Sequence, residues 1–185
     1  MEGIQNRKYT VEEFEALPED ERYELINGEL YAMAAPEWIH QELVAGLVNE
    51  IKNYIRSKKG DCRVLPAPFD VRLFAEEDTI VEPDITVICE RDKISKKGCT
   101  GAPDWIIEIV SPSNSAHDYI DKLKLYHDAG VREYWIIDPE IGRVTVYNME
   151  QTIAMDNYTL KDTVKAGIYE DLSIDFDEMM KEIEG

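Results

Sequence analysis

No stretch of this chain approaches the roughly 18 consecutive apolar residues needed to cross a bilayer. The opening residues, MEGIQNRKYT, hold no apolar core of the kind a secretory leader needs. A cytoplasmic protein with no membrane partner is therefore expected. Cysteine is scarce: only Cys62, Cys89 and Cys99. An odd count without a CxxC pair argues against a disulfide framework and against a structural zinc site, so the three are read as buried free thiols in a reducing compartment. Glycine and proline are not in excess (10 and 8 residues), which excludes collagen-like and linker-like chains. Positive charge is the main deficit. Twenty Lys and Arg face 39 Asp and Glu, giving a net charge of -19. Such a surface repels phosphate and counts against sequence-independent nucleic-acid binding. The cations that remain gather in two places: Lys52, Arg56, Lys58, Lys59 and Arg63, then Arg91, Lys93, Lys96 and Lys97. Each is either a local phosphate contact or a solvated surface.

What is present is a chain of 185 residues, 44% hydrophobic, with no repeat and no linker. It is long enough to bury a substantial core, and one domain over 1–185 is expected. Thr10 with Glu13 has capping-box spacing for a short helix that Pro18 ends. Alternating runs on either side of Asn27-Gly28 predict a hairpin with strands at 22–26 and 29–34. After Pro36, Ile39, Leu43, Leu47, Ile51 and Ile55 recur every four residues and predict a long amphipathic helix. Two short strands broken by Pro66 and Pro68 are expected next, then a strand over 84–89 and a polar loop over 90–103. The run WIIEIV at 105–110 reads as a strand covered on both faces. A Ser-rich turn at 111–115 leads into a helix that Gly130 ends as the C′ residue, with Ser115 and Asp118 spaced as a capping box. The strand EYWIID at 133–138 completes a right-handed parallel βαβ unit. An antiparallel strand through RVTVYNM, a further strand near 153–160 and a closing helix at 176–183 follow.

One residue breaks the pattern. Glu108 stands in the middle of an apolar strand, and burying a lone carboxylate costs several kcal/mol. It must be salt-bridged, protonated or bound to a metal. Asp84, at the head of PDITVI, is either a metal ligand or the acid of a Pro-Asp turn. One carboxylate on each of two neighbouring strands makes a two-oxygen site that suits Mg²⁺ with water and substrate phosphate. On the following helix Asp118, Lys122, Leu125 and Tyr126 share a face. Lys122 is therefore available to the acids, or else forms a surface ion pair with Asp118. Lys124 lies about 200° round that helix. His40, at the edge of the long helix's apolar stripe, is read first as a satisfied core or interface histidine and second as a site residue. His117 and His127 are read as surface residues. A rival reading puts a phosphate-bearing small molecule at the 111–115 turn, which lacks the glycine spacing of known phosphate loops.

The order YELINGELYAMAAP, a helix bearing His40, PDITVI, then DWIIEIVSPSNS and D-x-x-x-K-x-x-x-Y-x-x-x-G-V-x-E-Y-W-x-I-D resembles the Uma-two family of restriction endonucleases, within the PD-(D/E)XK nuclease superfamily. The resemblance runs from about Tyr23 to Tyr147. It implies an α/β fold of restriction-endonuclease type, a mixed central sheet flanked by helices with an antiparallel hairpin. It implies an endonuclease hydrolysing DNA phosphodiester bonds with Mg²⁺ (or Mn²⁺), with Asp84 and Glu108 as the metal-binding pair. Two residues after Glu108 stands Val110, where the superfamily motif has lysine; the resemblance implies that this lysine is carried by the helix, as Lys122. An upstream acid is implied as well, for which Glu24 and Glu29 both qualify, Glu29 being slightly preferred. A homodimer would let two sites cut a duplex. The alternative is a nuclease fold kept as an interaction module with weak or no catalysis.

Overall fold

Thr10 forms the capping box its spacing predicts. Its hydroxyl accepts from the Glu13 N–H, and the Glu13 carboxylate accepts from the Thr10 N–H, opening α1 (Val11–Glu15). The computed structural model describes residues 7–18, 22–33, 35–111, 116–150 and 152–185, with the side chains of 116–120 left aside. The 111–115 turn and the Ser115/Asp118 cap expected from the sequence therefore fall largely outside the described residues.

The hairpin is β1 (Tyr23–Ile26) and β2 (Glu29–Ala32). Asn27 and Gly28 turn it with φ of 51° and 79°, the left-handed pair a two-residue turn requires. The long helix α2 (Trp38–Ser57) buries Leu43, Leu47, Ile51 and Ile55, the expected stripe, at about 1.5–3 kcal/mol for each side chain fully removed from water. Next come β3 (Arg63–Pro66), β4 (Val71–Arg72), β5 (Ile80–Val81) and β6 (Ile85–Ile88). The expected polar loop contains a tight hairpin, β7 (Ile94–Ser95) and β8 (Gly98–Thr100), which its polar sequence disguises. The βαβ unit is β9 (Trp105–Ile109), α3 (Ala116–Ala129) and β10 (Glu133–Asp138), with Gly130 at φ 94° ending the helix. The chain closes through β11 (Arg143–Asn148), β12 (Ala154–Thr159), β13 (Thr163–Lys165), β14 (Ser173–Asp175) and α4 (Phe176–Glu184). No described helix is long and apolar enough to cross a membrane.

The central sheet has the order β12-β11-β10-β9-β6-β3, in which only β9 and β10 run parallel. The β1–β2 hairpin belongs to a second six-stranded sheet, β2-β1-β5-β4-β8-β7. That sheet is not visible in the sequence because three of its strands are two residues long and show no periodicity. The inner strands β6, β9 and β10 are buried on both faces. One face carries Val87, Ile107 and Trp135 against Leu43, Leu47 and Ile51 of α2 and Phe176 and Met179 of α4. The opposite face carries Ile88, Ile106 and Tyr134 against Tyr126 of α3 and Val71 and Cys99 of the second sheet.

One finding corrects the sequence reading and a second adds to it. Cys62 and Cys89 form a disulfide with Cα atoms 3.9 Å apart. They lie one step beyond the β3/β6 pair Arg63↔Ile88, so the register sets them opposite each other, which a spacing of 27 residues does not reveal. Only Cys99 is free and buried, its thiol pushed up to about 11 by that burial. The argument from free thiols to a reducing compartment therefore lapses. The second finding is Glu133, fully buried although it begins a strand. Its carboxylate accepts from the Trp135 indole (2.6 Å), Gly167 N–H (2.9 Å) and Ile168 N–H (2.7 Å), tying β10 to the segment leading into β14. In Glu133→Gln one of these donors must face an amide NH₂. The expected loss is about 2–3 kcal/mol, read as a Tm lowered by roughly 5–10 °C. An unchanged Tm would contradict this account of the residue.

Candidate active site

Asp84 immediately precedes β6, and β6 pairs with β9 through Ile85↔Ile107 and Thr86↔Ile106. Continuing that register one step sets Asp84 opposite Glu108. Glu108 projects toward the α3 face, the side of Ile106, where Lys122 and Tyr126 meet it. Asp84, one residue outside β6, is held by the Ile109 N–H and by His40 of α2. The two acids meet in a cavity of about 290 Å³ whose wall also includes Glu24, Glu82, His40 and Lys122.

Each acid is held by one oxygen. Asp84 Oδ2 accepts from the Ile109 N–H (2.8 Å) and lies 3.1 Å from His40 Nε2. His40 is buried, one turn into α2, and its tie to Asp84 makes it part of the site rather than of the apolar stripe. Glu108 Oε1 accepts from the Lys122 ammonium (2.9 Å) and the Tyr126 hydroxyl (2.8 Å). Lys122 and Tyr126 are one helical turn apart, so a single face of α3 supplies both donors. Lys124 is exposed and faces elsewhere.

Lys122 also donates to Glu24 Oε1 (2.9 Å), and that oxygen accepts from the Glu82 N–H (3.0 Å). The upstream acid inside the cluster is therefore Glu24, on β1. Glu29 lies at the exposed end of the hairpin, bonded to Lys8 (2.8 Å) and the Tyr31 hydroxyl (2.9 Å), and is not brought to the site. The register explains this outcome. Glu24↔Tyr31 and Ile26↔Glu29 put both acids on one face of the hairpin, where periodicity cannot separate them. Glu24 is simply two residue positions, about 7 Å, farther from the turn. The sequence reading also missed Glu82, two residues before Asp84, which is buried and paired with Arg22. It stands just before Pro83, in a stretch with no periodicity that would mark it as buried.

Two buried carboxylates sharing one cation leave an excess of negative charge. Burial pushes Glu108 up to about 7; Lys122 opposes the shift, and Asp84 and Glu24 reinforce it. Burial also works against the Lys122 ammonium, but Glu108 and Glu24 outweigh it and raise its pKa, so the lysine stays charged. Glu82 is raised by burial, with Arg22 opposing.

A hard divalent cation fits these groups. Asp84 Oδ1 and Glu108 Oε2 accept no hydrogen bond among the described residues and belong to side chains lining one open cavity. Among the described residues no three His, Cys, Asp or Glu side chains converge as a closed metal cage. A cation here would complete its shell with water and substrate oxygen, the usual arrangement for Mg²⁺.

The profile of the Uma-two family, described as "Putative restriction endonuclease", matches residues 11–175. The chain belongs to that family. Among solved structures it is similar to "a putative nuclease belonging to DUF820" from Anabaena variabilis, with 24% identity, a TM-score of 0.76, and coverage of 93% of this chain and 97% of that one. At that identity the likeness establishes the fold. The chain is also 25% identical over 130 residues to an uncharacterized protein of Synechocystis sp., spanning 69% of this chain and 66%, just under two thirds, of that protein. This Uma-two member thus has a restriction-endonuclease-type fold, with Asp84 and Glu108 side by side at the end of the central sheet.

Proposed function

We propose that this protein is a metal-dependent endonuclease that hydrolyses DNA phosphodiester bonds. The observation that carries the proposal is the pairing of Asp84 and Glu108 across adjacent strands, each with one carboxylate oxygen left over, in a cavity open to substrate. Mg²⁺ or Mn²⁺, held by Asp84 and Glu108, would supply the Lewis acid that polarises the phosphate and lowers the pKa of the attacking water. The chain's own residues do the rest. His40 and the Ile109 N–H fix the Asp84 carboxylate, so its free oxygen keeps one direction. Tyr126 does the same for Glu108. The Lys122 ammonium has three donors; two are taken by Glu24 and Glu108, and the third is available to a phosphate oxygen as charge builds on it. Glu24 is a positioning residue, because it acts by aiming that ammonium.

The -19 net charge and the acidic wall of the cavity favour a second reading, an interaction module that has kept the fold without catalysis. Plasmid nicking and cleavage of labelled oligonucleotides, in Mg²⁺ or Mn²⁺ and again in EDTA, separate the two. Cleavage that appears with metal and vanishes with EDTA supports the endonuclease; intact DNA under all conditions supports the module. Within an active enzyme the two upstream acids should behave differently. Glu24→Gln should lower kcat about 10–100-fold with a smaller change in KM, since a misaimed ammonium is a transition-state loss. Glu29→Ala should cut like wild type. Equal effects from both would contradict the placement of Glu24.

A further inference from the structure

Among the described residues Trp38 is the most exposed large apolar side chain, at 64%, whereas Trp105 and Trp135 are fully buried. It is the first residue of α2 and lies two positions before His40. It lines a cavity of about 410 Å³ in which three segments converge: the start of α2, Val110 and Ser111 after β9, and Pro139 and Glu140 after β10. His40 and Ser111 line this cavity and the carboxylate cavity alike, so the two adjoin. His40 itself is bonded to Asp84. A substrate engaged at Asp84 and Glu108 therefore has an apolar, aromatic-walled recess next to it, which stands open among the described residues.

We infer that Trp38 is the stacking platform for an unpaired base next to the scissile phosphate, and hence that the substrate is single-stranded or locally unpaired DNA. This rests on the endonuclease reading and deepens it. An indole face stacks on any base, and such stacking is a sequence-tolerant source of affinity for single strands. A base held inside a duplex has no free face to offer, which is why the inference names unpaired substrate. Charge decides between base and backbone as the occupant. The polar residues flanking Trp38 in this cavity include the exposed carboxylates of Glu37 and Glu140 and no Lys or Arg. They repel phosphate but accept hydrogen bonds from the exocyclic amino groups of a base.

The test follows tryptophan emission and cleavage together. Trp38 is the only tryptophan at the surface, so emission changes caused by contact with DNA report on it. Single-stranded oligonucleotides, abasic oligonucleotides of equal length and blunt duplexes are titrated into wild type and Trp38→Ala in EDTA and in Mg²⁺. Cleavage kinetics on the single strand are measured in parallel. The inference expects saturable quenching in wild type by the base-bearing single strand, little by the abasic strand or the duplex, and a KM roughly tenfold or more higher in Trp38→Ala, partly restored in Trp38→Phe. The exposed side chain makes the variant a neutral change for folding, checked by an unaltered Tm. If wild type cuts DNA while Trp38→Ala cuts with the same KM, or if duplex and abasic DNA quench as well as the single strand, the inference is overturned and the endonuclease stands. If wild type neither cuts nor responds to any DNA, both fall. Emission that follows protein concentration instead of DNA would assign the recess to a second copy of the chain and also overturn the inference.

Discussion

Lys122→Met should lower stability by about 3–5 kcal/mol, a Tm drop of roughly 10–20 °C for a chain of this size, and should remove any cleavage activity with it. The methionine fills the same space, so the loss comes from charge and not from a cavity. In the native protein one ammonium satisfies Glu24 and Glu108, both almost fully buried. Without it two carboxylates remain in a low-dielectric pocket, with Tyr126 and the Glu82 N–H as their remaining donors. The same reasoning forecasts a rescue. Combining Lys122→Met with Glu24→Gln and Glu108→Gln removes the stranded charges, so the triple variant should regain a substantial part of the lost stability while staying inactive. A single variant as stable as wild type would show that the buried lysine is not the counter-charge of the cluster. A triple variant no better than the single would show that packing, and not charge, accounts for the loss.

Asp84→Asn should do the reverse, leaving the fold nearly untouched and abolishing catalysis. Asparagine has the same shape and keeps a carbonyl oxygen where Asp84 Oδ2 accepts from the Ile109 N–H and meets His40, so the expected change in Tm is small. What is lost is one anionic oxygen of the pair. A metal at such a site contributes several kcal/mol of transition-state stabilisation. At 1.36 kcal/mol per decade this gives a fall in kcat/KM of about 10³-fold. Manganese affinity, measured by titration calorimetry without DNA, should weaken in step. Full activity in Asp84→Asn would remove this residue from the reaction.

The sequence disclosed those parts of the structure that are written in local periodicity. The Asn27-Gly28 hairpin, the α2 stripe, the parallel β9–α3–β10 unit and the antiparallel β11 are each specified by a pattern within one contiguous segment of the chain. Glu108 was conspicuous because a charge inside WIIEIV demands a partner, and Tyr126 and Lys122 stood out by helical spacing. What the sequence concealed depends on pairings between distant segments. The choice of Glu24 over Glu29 is one such case, since both lie on the same hairpin face and only the distance from the turn puts Glu24 over α3. The Cys62–Cys89 bond follows from the β3/β6 register. The second sheet is assembled partly from two-residue strands too short to alternate. His40 has the spacing of a core residue, and only the position of Asp84 beyond the end of the sheet converts it into a partner of the site. Glu82 carries no local signal in the sequence, and its burial, like the set of donors gathered round Glu133, depends on distant segments.

The measurement that bears most directly on the account is anomalous diffraction from crystals grown or soaked in Mn²⁺, for wild type and Asp84→Asn. The account predicts a single strong peak between the side chains at the junction of β6 and β9, in contact with Asp84 Oδ1 and Glu108 Oε2, and no such peak in the variant. A well-ordered wild-type crystal saturated with manganese that shows no density there, or shows the ion held by other residues, would contradict it.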